Sequence, residues 1–312
     1  MKRHFSKLFN TYSIVARDPE TGELGVAVQT HQMCVGAIVG WLRPGLGAVA
    51  TQASVNIRFG PLGIALLEEG VEPEHVIAAL VASDPGAARR QVAAVDAQGR
   101  AAAFTGDKCI AEASHHVGEG YSVQANMMTR PTVIPAMVEA YERASGDLAA
   151  RMLAALQAAQ AEDGDIRGMQ SAALKVVSGD RSRPAWDTIY DLRVDESETP
   201  LAELARLVRL RCAAVLDERG FEALSAGKLD DALTLWGQAR EIAPELEELP
   251  FWQALNIADE RGDVEQAVAL LRPAFEHHPR RGEWVDLIRR LEACEMLTRE
   301  GVADRIIAQL GW

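Results

Sequence analysis

The spacing of hydrophobic and polar residues changes once along the chain, near Pro200. Before that point, short apolar runs alternate with turns rich in glycine, proline and aspartate, a pattern typical of strands in close succession. After it, apolar residues recur at spacings of three and four, which indicates helices. The sequence therefore predicts an α+β domain at residues 1–199 and an all-α domain at residues 200–312.

Within the first domain, the apolar runs predict strands that are joined by tight turns. A turn at residues 18–22 separates strands at 12–16 and 24–30, which together form a hairpin. The other predicted strands span residues 46–52, 91–96, 101–104, 121–127, 171–177 and 188–194. The predicted helices begin near residue 60 and span 73–82, 131–145 and 147–161. We expect residues 11–195 to form two stacked sheets that are flanked by helices.

The second domain contains a sequence repeat. The segment AGKLDDAL at residues 226–233 matches RGDVEQAV at residues 261–268, at an offset of 35 positions. The offset aligns three pairs of residues, which are Gly227 with Gly262, Ala232 with Ala267, and Pro244 with Pro279. A turn glycine, a small alanine and a closing proline at about this period are typical of tetratricopeptide repeats. We predict two such hairpins, followed by a capping helix at about 284–310, which stack to bury their apolar faces.

Composition and charge exclude several classes of function. The 312 residues are 48% hydrophobic and 25% charged, and the formal net charge is -13. Nucleic-acid binding needs a basic surface, so no nucleic-acid partner is expected. No apolar run approaches the roughly 18 residues needed to cross a bilayer, and no apolar segment follows the basic N-terminus as in a signal peptide. We therefore expect a cytoplasmic protein with no membrane partner.

The cysteines give no indication of a metal site or a disulfide framework. Cys34, Cys109, Cys212 and Cys294 are widely scattered and form no paired spacing. They are interpreted as reduced packing residues. No metal and no cofactor are predicted.

Several sequence blocks resemble a widespread bacterial family that is classed as a domain of unknown function. The blocks are TYSIVARD at 11–18, GVAV at 25–28, GLGAVATQA at 45–53, YSVQANMM at 121–128 and GDIRGMQSAAL at 164–174. The resemblance covers roughly residues 11–214 and implies an Ntn-hydrolase-like αββα sandwich, without an established reaction. One departure is the pair Gln29 and Thr30, where the family pattern has two small residues.

The resemblance implies a nucleophile at Thr11. In Ntn hydrolases the nucleophile is the first residue of the mature chain, and its free α-amine, with a pKa of about 8, serves as the base. Ten residues precede Thr11, so this chemistry requires cleavage after Asn10. The alternative is that Thr11 is a β-branched residue that only begins a strand. Without cleavage, Thr11 or Ser13 would need another base.

Four further polar residues could complete a catalytic site. His31 ends the second predicted strand, beside the start of the first, and is a candidate base for Thr11. Asn126 and Gln124 lie two residues apart on one strand face, where their amides could donate to an oxyanion. Gln52, at the end of another strand, is a candidate substrate-binding residue. Alternatively, His31 is structural and the amides satisfy buried backbone groups.

Arg167, Gln170 and Ser171 lie in a loop with flanking glycine that precedes a predicted strand. Because a guanidinium can hold a carboxylate by two hydrogen bonds, we expect this loop to bind substrate. The alternative is a structural loop that is anchored by ion pairs. We predict that Thr11, His31, Asn126 and Arg167 converge on one pocket.

Two functional hypotheses follow from this pattern. The first is an amidohydrolase that cleaves an amide-type bond in a small molecule or peptide, with Thr11 as nucleophile. The second is a catalytically inactive Ntn-like binding or scaffold protein, with a helical module that binds a protein partner. Since sandwich domains of this type often assemble face to face, a homo-oligomer is expected in either case.

Overall fold

The computed structural model describes residues 8–9 and 11–311, with side chains described from Thr11 onward. The chain divides into two compact units, Met1–Val208 and Arg209–Trp312. All the described strands lie in the first unit. They are β1 (Leu8–Phe9), β2 (Thr11–Arg17), β3 (Leu24–Thr30), β4 (Gly40–Arg43), β5 (Gly47–Ser54), β6 (Arg90–Asp96), β7 (Ala101–Thr105), β8 (Ser114–Gly118), β9 (Tyr121–Ala125), β10 (Ser171–Val177) and β11 (Thr188–Val194).

These strands form two antiparallel sheets. The first sheet has the order β1-β5-β6-β7, and β4 pairs with the same edge of β5 as β1 does. The second sheet has the order β11-β10-β3-β2-β9-β8. The hairpin between β2 and β3 turns at Asp18, whose carboxylate accepts hydrogen bonds from the backbone N–H groups of Glu20 and Thr21. Gly22, with φ of 74°, completes this turn in a conformation that favours glycine.

The first unit also contains four helices of at least ten residues, α1 (Phe59–Glu68), α2 (Pro73–Ala82), α3 (Val133–Arg143) and α4 (Leu148–Ala161). Helices α1 and α2 pack on the first sheet, around Val49 and Val92. Helices α3 and α4 pack on the second sheet, where Gly25 leaves room for the side chain of Met152. The result is a four-layer arrangement of helices, two sheets and helices.

The layer between the two sheets is built from small and β-branched residues. Val15, Val26 and Val28 of the second sheet face Ala50 and Ala93 of the first. Because alternate strand residues point to opposite faces, Val49 and Val92 point instead toward the helices. The alanines let the two sheets approach closely. At one end of the sandwich this apolar layer gives way to polar side chains.

The prediction of a mixed α and β region followed by helices is confirmed, and the sheets are antiparallel. The observed bounds of α2, β10 and β11 coincide with the predicted ones. Strand β8 was not predicted, because it is an edge strand whose side chains are nearly all exposed and show no apolar alternation. Strand β4, which has only four residues, was also not predicted.

In the second unit, the described part of the chain is helical. The helices are α5 (Pro200–Ser225), which begins in the first unit, α6 (Leu229–Ile242), α7 (Glu248–Asn256), α8 (Val264–Phe275), α9 (Arg281–Ala293) and α10 (Val302–Leu310). A π-helical turn, Ile257–Arg261, extends α7. The single capping helix expected at about 284–310 is instead two helices, because the chain turns between Cys294 and Gly301.

The repeated residues of the second unit occupy similar local environments. Gly227 and Gly262 adopt left-handed φ angles of 76° and 73°, and each precedes the next helix by two residues. Ala232 and Ala267 are both fully buried. Phe251, Phe275 and Trp284 form an aromatic cluster at the centre of the core of this unit.

Candidate functional site

At one end of the sandwich, two rows of polar residues face each other across the layer between the sheets. In the first sheet, Gln52 of β5 pairs in register with Gln91 of β6, which pairs with Thr105 of β7. In the second sheet, Ser13 of β2 pairs with Gln124 of β9, which pairs with His115 of β8. Register therefore aligns these side chains on the inner face of each sheet.

Five buried polar residues form what we name the amide cluster, namely Ser13, Gln52, Gln91, Gln124 and Asn126. Gln52 lies at its centre. Its Nε2 atom lies 2.7 Å from Gln91 Oε1 and 3.1 Å from the carbonyl oxygen of Thr11, and its Oε1 accepts a hydrogen bond of 2.6 Å from Ser13 Oγ. Ser13 Oγ also accepts from Gln124 Nε2, at 2.6 Å. The Ser13 hydroxyl is thus held between two amides.

Thr11 lies at the edge of the amide cluster and is fully buried. Its carbonyl oxygen accepts hydrogen bonds from the backbone N–H of Asn126, at 3.1 Å, and from Gln52 Nε2. Within the described part of the chain, the Thr11 hydroxyl and Asn126 Oδ1 have no hydrogen-bond partner. Since buried polar atoms are nearly always paired, two unpaired oxygens at one strand end mark a candidate binding site.

Backbone strain occurs at the same place. Ala53 directly follows Gln52 and has φ of 65°, and Met127 directly follows Asn126 and has φ of 57°. A side chain other than glycine in this left-handed region costs about 1–3 kcal/mol, and such residues concentrate at functional sites. A strained residue thus directly follows each of the two amides.

His31 and Arg167 meet at a second group of residues, which we name the Asp165 cluster. The buried Asp165 carboxylate accepts the backbone N–H of His31, at 3.2 Å, and the Arg167 guanidinium, at 2.7 Å. His31 Nδ1 lies 3.2 Å from the carbonyl oxygen of Met169. A carbonyl can only accept, so Nδ1 carries a proton and Nε2 is left as an acceptor.

The four residues expected in one pocket therefore fall into two adjacent groups. Thr11 and Asn126 belong to the amide cluster, whereas His31 and Arg167 belong to the Asp165 cluster. The two groups adjoin at Thr30, which pairs in register with Thr11 and directly precedes His31. Arg167 forms an ion pair, as the structural alternative for its loop expected.

Gln170 and Ser171 hold the chain beside the Asp165 cluster. The backbone N–H of Gln170 donates to the carbonyl oxygen of Thr30, at 3.0 Å. The buried Ser171 hydroxyl accepts from the backbone N–H of Val35, at 3.2 Å, and donates to the carbonyl oxygen of Gln32. In this structure, the Ser171 side chain thus fixes the loop that follows β3.

Tyr12 and Gln29 lie on the opposite face of the second sheet, toward α4. Tyr12 OH donates to Gln160 Oε1 at 3.0 Å, and burial, together with the charge of Asp165, raises the pKa of its phenol well above the usual value. Gln29 pairs in register with Tyr12 and is fully buried. Both polar atoms of its amide lack a partner among the described residues.

Sequence reasoning missed Gln91, which joins the two rows. Its Oε1 accepts from Asn126 Nδ2 at 3.0 Å as well as from Gln52, and its Nε2 donates to the carbonyl oxygen of Ala125 at 2.9 Å. The pattern that could have indicated it is a glutamine at the start of the otherwise apolar run VAAV. Thr105 and His115 were missed for the same reason, since only strand register connects them to Thr11.

Two further findings concern the described residues alone. No group of three or more His, Cys, Asp or Glu side chains among them is arranged to hold a metal ion. Among the helices of this part of the chain, none is both long enough and apolar enough to span a membrane.

Comparison with known proteins identifies the family. The profile of a family of unknown function, DUF1028, matches residues 11–204, which is more than half of the chain, so the chain belongs to this family. A protein from Silicibacter pomeroyi, whose crystal structure is assigned to the same family, is 34% identical, with a TM-score of 0.59. The match covers 64% of this chain and 85% of that one.

A more distant likeness is to Anbu (ancestral beta-subunit) from Yersinia bercovieri, with 11% identity and a TM-score of 0.34. That match covers 62% of this chain and 91% of the other, and at this TM-score it supports no conclusion about chemistry. No curated protein shows significant similarity to the chain.

Proposed function

We propose that the first unit is an Ntn-type amidohydrolase, with Thr11 as its nucleophile and an amide-type bond of a small molecule or peptide as its substrate. One observation carries the proposal. The Thr11 hydroxyl is buried and without a partner at the first residue of β2, where the polar rows of both sheets meet. The family match also begins at this residue.

Cleavage between Asn10 and Thr11 would supply the base. In the intact chain the Thr11 nitrogen is part of a peptide bond and cannot accept a proton. Once freed, an α-amine with a pKa of about 8 takes the hydroxyl proton at neutral pH. The Thr11 oxygen then attacks the substrate carbonyl, and the amine part of the substrate leaves after it takes up the proton held by the α-amine. Water finally hydrolyses the ester that links the acyl part to Thr11. Without cleavage, His31 Nε2 is the candidate base.

Hydrogen bonding favours Thr11 over Ser13 as nucleophile. The Ser13 hydroxyl already donates to Gln52 and accepts from Gln124, so neither its proton nor its position is free. The Thr11 hydroxyl has no such commitment among the described residues. Gln52 and Asn126 hold the Thr11 carbonyl and so fix the orientation of this residue.

The other predicted site residues take supporting roles in this proposal. The Asn126 Oδ1 atom, which has no partner in the described chain, accepts a hydrogen bond that orients the substrate. Its Nδ2, which donates to Gln91 here, is the candidate donor to the oxyanion. Gln124 does not contact the substrate in this proposal; it donates to Ser13, which in turn holds Gln52 in place. Arg167, held by Asp165, presents its partly exposed guanidinium to a substrate carboxylate. Gln170 and Ser171 shape the loop beside it.

A second candidate function is an inactive binding or scaffold protein. It is favoured by the complete burial of Thr11 in the intact chain. It is also favoured by β1, which lies just before Thr11 in sequence and pairs with Ala53 and Ser54 of β5. In that case, the helical unit would serve as a tetratricopeptide-like module for a protein partner. Both candidate functions include a cytoplasmic location and a homo-oligomer. Light scattering would measure the oligomeric state.

The deciding experiment is the intact mass of the protein from its native host, together with hydrolysis assays on a panel of amide substrates. We expect a chain that begins at Thr11 and a hydrolytic activity. Thr11→Val, which keeps the side-chain shape, should abolish that activity, whereas Thr11→Ser should retain part of it. An uncleaved chain that hydrolyses no substrate would favour the binding protein instead.

A further inference from the structure

The polar rows extend beyond the amide cluster to the open edge of the sandwich. There, Nδ1 of His115, in edge strand β8, lies 2.8 Å from the hydroxyl oxygen of Thr105, in edge strand β7. This contact joins the two sheets. The Thr105 oxygen also accepts a hydrogen bond of 2.8 Å from Gln91 Nε2. His115 is exposed at this edge and is open to protons from solvent.

The hydrogen bonds that connect Gln52 and Asn126 to Thr105 all have the same donor-to-acceptor direction. Gln91 Nε2 lies 2.9 Å and 3.1 Å from the carbonyl oxygens of Ala125 and Ser114, which can only accept, so this atom is the amide nitrogen. Gln91 Oε1 therefore accepts from Gln52 Nε2 and Asn126 Nδ2. Donation passes from these two amides to Gln91 and then to Thr105.

The Thr105 hydroxyl connects Gln91 to the His115 ring. Its oxygen accepts from Gln91 Nε2, and its own proton can be donated to His115 Nδ1. Nδ1 can accept that proton only when the ring is neutral, with its hydrogen on Nε2. Protonation of Nδ1 would remove the acceptor of the Thr105 proton and place a positive charge near the N–H end of Gln91.

We infer that neutral His115 is a positioning residue for the Thr11 site, which it orders through Thr105 and Gln91, and that its protonation loosens Gln52 and Asn126. The inference rests on the proposed function of that site. It makes the geometry around Thr11 depend on pH, although His115 does not touch Thr11. His115, Thr105 and Gln91 are the three residues that sequence reasoning missed.

The surroundings of His115 act on the pKa of its ring in opposite directions. The ring borders a cavity of about 440 Å³ that is also lined by Asp107, Cys109 and Glu112, and His116 follows it on β8. The two carboxylates favour the charged ring. The ring is only partly surrounded by protein, and this partial desolvation, and then the charge of His116, lower the pKa of His115 below its usual value and so favour the neutral ring.

The first test is an NMR titration of the full-length protein, in which the His115 ring and the side-chain NH2 groups of Gln91 and Asn126 are followed together. We expect both NH2 groups to shift with the His115 midpoint. Thr105→Val should remove this coupling, because valine has no hydroxyl to connect His115 with Gln91. His116→Gln, the matched control, should preserve it. If the NH2 signals of Gln91 and Asn126 in the unmodified protein do not shift at the His115 midpoint, the inference is overturned.

The second test uses hydrolysis. Turnover should fall as pH decreases through the His115 midpoint, and Thr105→Val should lower kcat about tenfold to a hundredfold at neutral pH, as misplaced groups do. In His115→Gln, which offers an acceptor that does not titrate, the decrease at the His115 midpoint should disappear, whereas the decrease caused by protonation of the Thr11 α-amine should remain. A decrease in turnover at the His115 midpoint that persists in His115→Gln would count against the inference. Coupling seen by NMR without hydrolysis of any substrate would support it and contradict only the proposed function.

Discussion

Thr11 and Ser13 lie two residues apart on one face of β2, but their hydroxyls have opposite environments. The Thr11 hydroxyl lacks a partner among the described residues, so Thr11→Val should change the free energy of unfolding by no more than about 1 kcal/mol. Ser13→Ala leaves Gln52 Oε1 and Gln124 Nε2 without this partner and should cost about 1–3 kcal/mol. Urea unfolding of both variants measures the difference. Equal losses would mean that the Thr11 hydroxyl is paired.

Gln29 offers a second test at this scale. Its buried amide has no partner in the described chain, and an unpaired buried amide is unfavourable by about 1–3 kcal/mol. Gln29→Met, of similar volume, should therefore raise the midpoint of urea unfolding. Gln91→Met is the control and should lower it, because every polar atom of Gln91 is paired. Destabilisation by Gln29→Met would indicate that the amide has a bound partner.

How much of the candidate site can be predicted from sequence depends on the distance between its residues along the chain. Thr11 and Asn126 were predicted because each belongs to a block that resembles the family. Gln91 and His115 were not, since their role comes from strand register and from the stacking of the two sheets. The spacing of residues along the sequence indicates neither the strand register nor the stacking of the sheets. The division between the amide cluster and the Asp165 cluster has the same origin, because it depends on which face of a sheet each side chain takes.

At the scale of elements, the sequence predicts best those strands that are buried on at least one face. Strands β2 and β3 are nearly fully buried, and their apolar runs were found with errors of one or two residues at most. Edge strand β8 was missed because burial, and not backbone pairing, produces the apolar pattern. Edge strand β7 was nevertheless predicted to within one residue, because it retains the apolar run at residues 101–104, which β8 lacks.

Glycine has two different effects in the helices of the second unit. Gly227 follows α5 with φ of 76°, and an added Cβ would meet no atom within 4 Å. Gly227→Ala should therefore cost about 1–2 kcal/mol through backbone strain alone. Gly237 lies inside α6, where an added Cβ also meets nothing, and Gly237→Ala should stabilise by about 0.5–1 kcal/mol. Thermal unfolding should shift in opposite directions. Two shifts of the same sign would contradict the assigned turn.

For the whole molecule, the change of period near Pro200 correctly separates a mixed region from a helical one. It does not fix where one compact unit ends. Helix α5 begins at Pro200, but the first unit extends to Val208, so the boundary between units falls inside a continuous helix. Hydrophobic spacing indicates which face of a helix is buried, and it does not indicate the body against which that face packs.

Two truncated chains test this boundary. Leu201, Leu204 and Val208 are buried, and they lie in the part of α5 that belongs to the first unit. A fully buried side chain of this size contributes about 1.5–3 kcal/mol. A fragment of residues 1–208 should therefore fold with both sheets and unfold at a clearly higher temperature than a fragment of residues 1–199. Circular dichroism melts compare the two, and the pH coupling of His115 and Gln91 should persist in the longer one. Equal melting temperatures would contradict the assignment of residues 200–208 to the first unit, and would restore the boundary predicted from hydrophobic period.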